Sequence, residues 1–219
     1  MSYPSLEVFA SLPLAERLFV RGRLVSAPLA ELAARAQGTA MLDVGCGHGV
    51  LLALLAVGHP ERRVTGIDPD ERKIDWARRS VGRCENVELR ACTIETLAAD
   101  RPGAFDTVLV ADVLYLLEPA AWTPFLRAAH TLLKPGGRLV LKEAEDDGSW
   151  RVTKALLQER VMVHLFRRTH SSGSVGFQPR RVLLDALEQA AFDVDEALAL
   201  ARGYSTPHVL FSASARRRS

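Results

Sequence analysis

Cysteine is scarce in this chain. There are three in 219 residues, Cys46, Cys84 and Cys92, with no CxxC pair and no Cys/His ligand spacing. That excludes a disulfide framework and a structural zinc site, and it fits a reducing, cytoplasmic setting. Lysine stands only at positions 73, 134, 142 and 154 while arginine is abundant, a bias given no functional weight. No run approaches the roughly 20 apolar residues that a membrane-spanning helix requires. Residues 1–10 carry Pro4 and Glu7 where a signal peptide would have a basic start and an apolar run, so none is expected. Long blocks of one charge sign are missing too: 28 basic and 26 acidic side chains are mixed along the chain for a net charge of +2, and nothing in the bulk charge calls for nucleic acid. What is present is 48% apolar content, enough over this length for one well-buried domain with little left for a second.

Short apolar runs ended by turn residues alternate with helical periodicity, the pattern of a parallel sheet covered on both faces by helices. The runs predict strands over residues 40–44, 63–67, 87–91, 105–111, 137–142, 192–201 and 208–213. The i, i+3, i+4 spacing predicts helices over 50–57, 70–80, 120–133 and 179–191. Two segments stand outside this alternation. Residues 5–37 read as one or two amphipathic helices ahead of the first strand, and residues 145–178 as a long excursion before the last helix.

The most informative stretch is Leu42-Asp43-Val44-Gly45-Cys46-Gly47-His48-Gly49, a buried strand running into a glycine-rich turn that opens a helix. Such a turn lets backbone amides approach a ligand closely, and the helix start favours negative charge there. A dinucleotide site would show G-x-G-x-x-G, with its third glycine where this chain has Val50. Asp43, two residues before the first glycine, would repel a pyrophosphate but suits the ammonium of an amino acid. Nineteen residues beyond Gly49, the strand Val64-Thr65-Gly66-Ile67 ends on Asp68. A carboxylate there can accept two ribose hydroxyls. Asp68-Pro69-Asp70 also suits a helix start, and Asp70 can take that second role.

Together with Phe105-Asp106-Thr107-Val108-Leu109-Val110-Ala111-Asp112-Val113-Leu114-Tyr115 and Leu133-Lys134-Pro135-Gly136-Gly137-Arg138-Leu139, these motifs resemble the class I S-adenosylmethionine (SAM)-dependent methyltransferases over residues 38–213. The resemblance implies an α/β, Rossmann-like fold: a seven-stranded, mostly parallel sheet in the order 3-2-1-4-5-7-6, its last strand antiparallel, with helices on both faces. It implies one domain over 1–219, with 5–37 a helical cover and 145–178 an insertion or lid. Carried onto this chain, it places Asp43, Gly45, Cys46 and Gly47 around the methionine part of SAM and Asp68 on the ribose. Pro69 and Ile94 would sandwich the adenine, with Cys92 and Thr93 where the family often has an acid. Ala111 and Asp112 would complete the cofactor site from the fourth strand. His48 reads as loop structure. Arg21 or Arg23 would reach the methionine carboxylate, against the alternative that both are solvated.

Methyl transfer from a sulfonium depends mainly on positioning, and a base matters only for an acceptor that carries a proton. The fourth strand lacks the N/D-P-P-Y/W turn of enzymes acting on nucleobases, which disfavours nucleic acid. A small-molecule acceptor is expected, with O-methylation of a secondary metabolite or lipid-like compound the leading reading, on a monomer or homodimer. The alternatives are a SAM-binding regulatory protein without turnover and an NAD-dependent oxidoreductase. For the acceptor's proton the candidate is His208, whose ordinary pKa of about 6.5 suits the task, with Tyr204, Tyr115 and Glu143 to orient it or the acceptor. His130, His164 and His170 rank lower.

Overall fold

The computed structural model describes residues 6–146, 178–200 and 207–216. A short 3-10 turn and two helices, α1 (Leu14–Ser26) and α2 (Leu29–Arg35), precede the first strand. Strands β1 (Ala40–Val44), β2 (Arg63–Ile67), β3 (Val87–Arg90) and β4 (Phe105–Ala111) alternate with helices α3 (Val50–Ala56), α4 (Glu71–Arg79) and α5 (Ile94–Asp100). Then come α6 (Trp122–Leu132), β5 (Leu133–Ala144), α7 (Arg180–Gln189), β6 (Phe192–Ala199) and β7 (His208–Ala215). The sheet order is β3-β2-β1-β4-β5-β7-β6. Neighbours from β3 to β5 run parallel, and β7 runs antiparallel to both β5 and β6. This is the topology the resemblance implies.

Side chains alternate between two cores with the period of two that strands impose. Leu42, Val44, Val108, Val110, Leu139 and Leu141 face α5, α6 and α7. Met41, Leu109, Val140 and Leu210 face the opposite way, against α1 to α4. Helix α3 is apolar nearly all round, with Val50, Leu51, Leu52, Ala53, Leu55 and Ala56 buried, because α2 lies on its outer side and leaves no face for water. No described helix is long and apolar enough to cross a membrane.

Two elements differ from expectation. β5 begins at Leu133 and not at 137. The Lys134-Pro135-Gly136 turn joins the strand through an irregularity in its register with β4 between Phe105 and Thr107, and Gly136 takes φ 77°. Helix α5, not among the helical spans expected above, is set by its cap: Thr93 accepts a hydrogen bond from the Thr96 amide at 3.3 Å. Its apolar spacing is confined to Ile94, Leu97 and Ala98. The 145–178 excursion and Tyr204 lie almost wholly outside the described residues.

Gly66, next to the last residue of β2, has no room for a methyl group. A Cβ there would lie 2.5 Å from Leu52 Cδ1 and 3.0 Å from Cys46 Sγ. Gly66→Ala is therefore expected to destabilise the protein by about 1–3 kcal/mol through overpacking, read as a lower urea midpoint with an unchanged denaturant slope.

Candidate functional site

After β1 the chain turns immediately. The amides of Gly45 and Cys46 donate to the Ile67 carbonyl at 2.8 and 2.9 Å, which moors the turn to the end of β2. Gly45 takes φ 72°, and a Cβ on it would lie 2.6 Å from Val113 Cγ2, so any side chain would push the β1 and β4 ends apart. Gly47 takes φ 54° with open space where its Cβ would stand. Its amide points at Asp68, donating to Oδ2 at 3.1 Å.

Asp68 and Asp70 divide two tasks. Asp70 caps α4, accepting from the Arg72 amide at 3.0 Å. Asp68, buried, accepts one amide on each oxygen, from Gly47 and from Asp70 at 2.9 Å. Each oxygen keeps a further lone pair for a hydroxyl donor.

Asp43 lies between Leu42 and Val44 and therefore points toward the α1 side of the sheet. It is 2% exposed, and its Oδ2 has no hydrogen-bond partner. Burial pushes its pKa up to about 8, with the Asp68 charge adding to the effect and Arg23 offsetting part of it. Cys46 is buried beside them, its thiol pushed well up by burial and by the two carboxylates. An orphaned, buried carboxyl oxygen next to an open glycine turn fits the ammonium of an amino-acid ligand.

Around the proposed adenine position, Pro69 is exposed, Cys92 is half-buried and Thr93 is spent on the α5 cap. Ile94 packs into the core at 3% exposure.

At the end of β4, Ala111 is buried and Asp112 takes φ 59°, a left-handed backbone for a non-glycine residue. Its two oxygens are held separately: Lys142 Nζ donates to Oδ1 at 2.5 Å and Arg23 Nη1 to Oδ2 at 2.8 Å. Burial works to raise the Asp112 pKa, but Lys142 and Arg23 outweigh it and hold the carboxyl below the usual range. Arg23 is thus ion-paired, not merely solvated, whereas Arg21 is exposed and lines a shallow cavity with Glu7, Phe9 and Arg17.

The four expected acceptor-site residues are placed as follows. His208 opens β7, paired with Ala144 at the carboxyl end of β5, is buried, and acts electrostatically on Asp112. Tyr115 sits half-buried in the 3-10 turn Leu114–Leu116. Glu143 points to the other face of the sheet, where its Oε1 accepts the amides of Val113 and Leu114 at 2.9 and 2.8 Å. Burial, with Asp112 nearby, pushes its pKa up to about 7. Tyr204 lies outside the described residues. His130 turns away, hydrogen-bonded to the Arg216 carbonyl at 3.0 Å and edge-on to Phe192.

Besides the Arg23–Asp112 pair, two features were not foreseen. His48 Nε2 and Glu16 Oε2 lie 2.7 Å apart, and the His48 ring packs 5.0 Å from that of Phe19, so the glycine loop is tied to α1. Lys142 is fully buried. Its trace in the sequence is a charge directly after the apolar run Leu139-Val140-Leu141. Among the described residues, no group of three or more His, Cys, Asp or Glu side chains is placed to hold a metal ion.

Residues 41–137 match the family model described as "Methyltransferase domain". The chain is 34% identical over 146 residues to a ubiquinone biosynthesis O-methyltransferase of Bordetella pertussis, covering 66% of this chain and 58% of that protein. It is 33% identical over 138 residues to the same-named protein of Azotobacter vinelandii, covering 62% of this chain and 57% of that protein. The match thus spans under two thirds of the length of either relative. Among solved structures, the SAM-dependent methyltransferase SibL in its apo form aligns with a TM-score of 0.67 at 28% identity, covering 99% of this chain and 63% of that one. The 1,6-didemethyltoxoflavin-N1-methyltransferase of Burkholderia thailandensis aligns at 0.69 and 20% identity, covering 99% and 92%, a likeness of fold.

The raised pKa of Asp43 has a consequence for stability. The unfolded carboxyl ionises near pH 4 and the folded one near pH 8, so between these values the native state holds the extra proton and stability falls as pH rises. Asp43→Asn removes this penalty. It is expected to be more stable than the parent by about 2–4 kcal/mol at pH 8, the difference vanishing toward pH 4, as measured by urea denaturation across that range.

Proposed function

We propose that the chain, which matches a methyltransferase domain over residues 41–137 and shares the sheet topology of the class I SAM-dependent methyltransferases, binds SAM along the 45–49 turn and transfers its methyl group to an oxygen of a small-molecule acceptor. The observation that carries the reading is the pair of acids on neighbouring strands: Asp43 with an unpartnered buried oxygen, and Asp68 with both oxygens turned to backbone amides at the mouth of the glycine turn. When bound, SAM supplies a methyl group on a sulfonium whose positive charge is lost on transfer, so no anion-stabilising hole is needed for the leaving group.

Each neighbouring side chain then has a task. Asp43 receives the ammonium, and that cation would draw its pKa back down. Asp68 takes the ribose hydroxyls. Arg23, half-buried on α1, is the arginine placed to meet the methionine carboxylate. Helix α1, joined to the glycine loop by Glu16 and to β4 by Arg23, excludes water from the cleft between them. On the far side of β4, His208 takes the proton of an acceptor hydroxyl and Tyr115 orients the acceptor. Glu143 acts through the backbone, fixing the 113–114 turn that carries Tyr115. The O-methyltransferase names of the sequence relatives support oxygen as the methylated atom.

The direct test is turnover of methyl-labelled SAM with a panel of phenols, carboxylic acids and amines. Labelled ether or ester is the expected product. Binding of SAM without transfer to any of them would favour a regulatory protein, and binding of NAD in its place an oxidoreductase. Asp68→Ala is expected to weaken SAM binding by about 1–3 kcal/mol in calorimetry, and unchanged affinity would remove Asp68 from the site. His208→Ala should slow transfer by ~10²-fold or more with SAM affinity intact. A loss under threefold across pH 6 to 9 would make His208 structural.

A further inference from the structure

A lysine ammonium with no exposure to water is costly unless its donors are met. Lys142 Nζ has three donors, and among the described residues one of them is used, on Asp112 Oδ1. That carboxylate is also shared, because its other oxygen is held by Arg23. The ammonium stands at the carboxyl edge of the sheet. Lys142 pairs with Ala111 of β4 and Leu210 of β7 and shares the parity of Val140, which places it on the same sheet face as His208, Arg23 and Asp43. It lies across β4 from the glycine turn. The residue it grips is held in a left-handed backbone, the kind of strain that persists where surrounding structure imposes it, often at functional sites.

We propose that Lys142 receives the acceptor oxygen as an anion, and that the acceptor is an acidic hydroxyl compound (a phenol, an enol or a carboxylic acid). This rests on the methyltransferase reading above and narrows it. An ammonium in a dry site lowers the pKa of an adjacent hydroxyl, so a phenol that ionises near 10 in water does so closer to neutrality. An aliphatic alcohol is too weak an acid to follow, and a protonated amine is repelled. The charged and titratable groups on the Lys142 face are Asp112, Arg23 and His208, and Glu143 acts on it from the opposite face of the sheet. Burial lowers the Lys142 pKa and Asp112 works to restore it, so an anion arriving at Nζ strengthens the charged form. The acceptor's proton passes to His208, on the same sheet face as Lys142, as the oxyanion forms.

The chromogenic phenols 4-nitrophenol and 4-nitrocatechol test this without turnover, because only their anions absorb in the visible. The protein, saturated with S-adenosylhomocysteine, is titrated with each dye below the dye's free pKa. The expected result is a phenolate band with the parent, with the apparent dye pKa at least about one unit higher in Lys142→Met, a tenfold loss of anion preference, and with the band retained in Lys142→Arg. Should Lys142→Met not fold, Asp112→Asn/Lys142→Met, which removes both buried charges, is read in its place. A parent that ionises neither dye, or a charge-free variant that ionises them as well as the parent, overturns the assignment. S-adenosylhomocysteine binding by the parent, followed by calorimetry, keeps the two readings apart. If it binds and the dyes stay neutral, only the role of Lys142 falls, and if it does not bind, the methyltransferase reading falls as well.

Discussion

The carboxylate of Asp112 joins three parts of the molecule that are far apart in the chain. Its backbone sits in a left-handed conformation that costs about 1–3 kcal/mol, and neighbouring side chains hold it there. Lys142 from β5 and Arg23 from α1 take one oxygen each. Glu143, the next residue of β5, takes the two amides that follow Asp112. Because consecutive strand residues point to opposite faces, Lys142 and Glu143 grip the 112–114 turn from both sides of the sheet. The Leu114 carbonyl beyond it accepts from Trp122 Nε1 at 2.8 Å, which passes the constraint on to α6.

The same economy explains how α1 sits. Glu16 and Arg23 are seven residues apart, two helical turns, and so share one side of the helix. One reaches the glycine loop after β1 and the other the end of β4, while Val20 between them and Leu24 just beyond Arg23 are buried. Helix α1 therefore spans the gap between two parallel strands at the edge where the sheet opens. Apolar packing holds it down, and the two polar contacts decide where along the edge it lies.

A cleft of this kind is expensive to maintain. Asp43 Oδ2 and Glu143 Oε2 are buried without hydrogen-bond partners, and each such group costs about 1–3 kcal/mol. A protein selected for stability alone would have no use for either. The cost falls on the few residues around the glycine turn and the β4 end, while the two hydrophobic cores carry the fold.

The strands and the glycine turn were legible in the sequence because each depends on local rules: apolar runs of fixed period, turn residues between them, and glycines where the backbone must take positive φ. The strand order was legible only through the resemblance of the motifs to a family, since no local pattern records which strands pair. The placement of Asp43, Asp68 and Asp112 at one sheet edge was legible because position along a parallel strand fixes the edge, and that of His208 because it opens the antiparallel last strand at the same edge. Helix α5 was not picked out, its apolar spacing being confined to Ile94, Leu97 and Ala98 and its start set by a single threonine cap. Nor were the Glu16–His48 and Arg23–Asp112 contacts, which join residues 32 and 89 apart in the chain and depend on how one helix lies across the sheet. The sequence by itself determined the alternation of strands and helices and the edge at which polar groups gather. Only the tertiary structure decided which of those groups are paired, because partners and burial depend on side chains that meet from different elements, and no local pattern in the chain records that meeting.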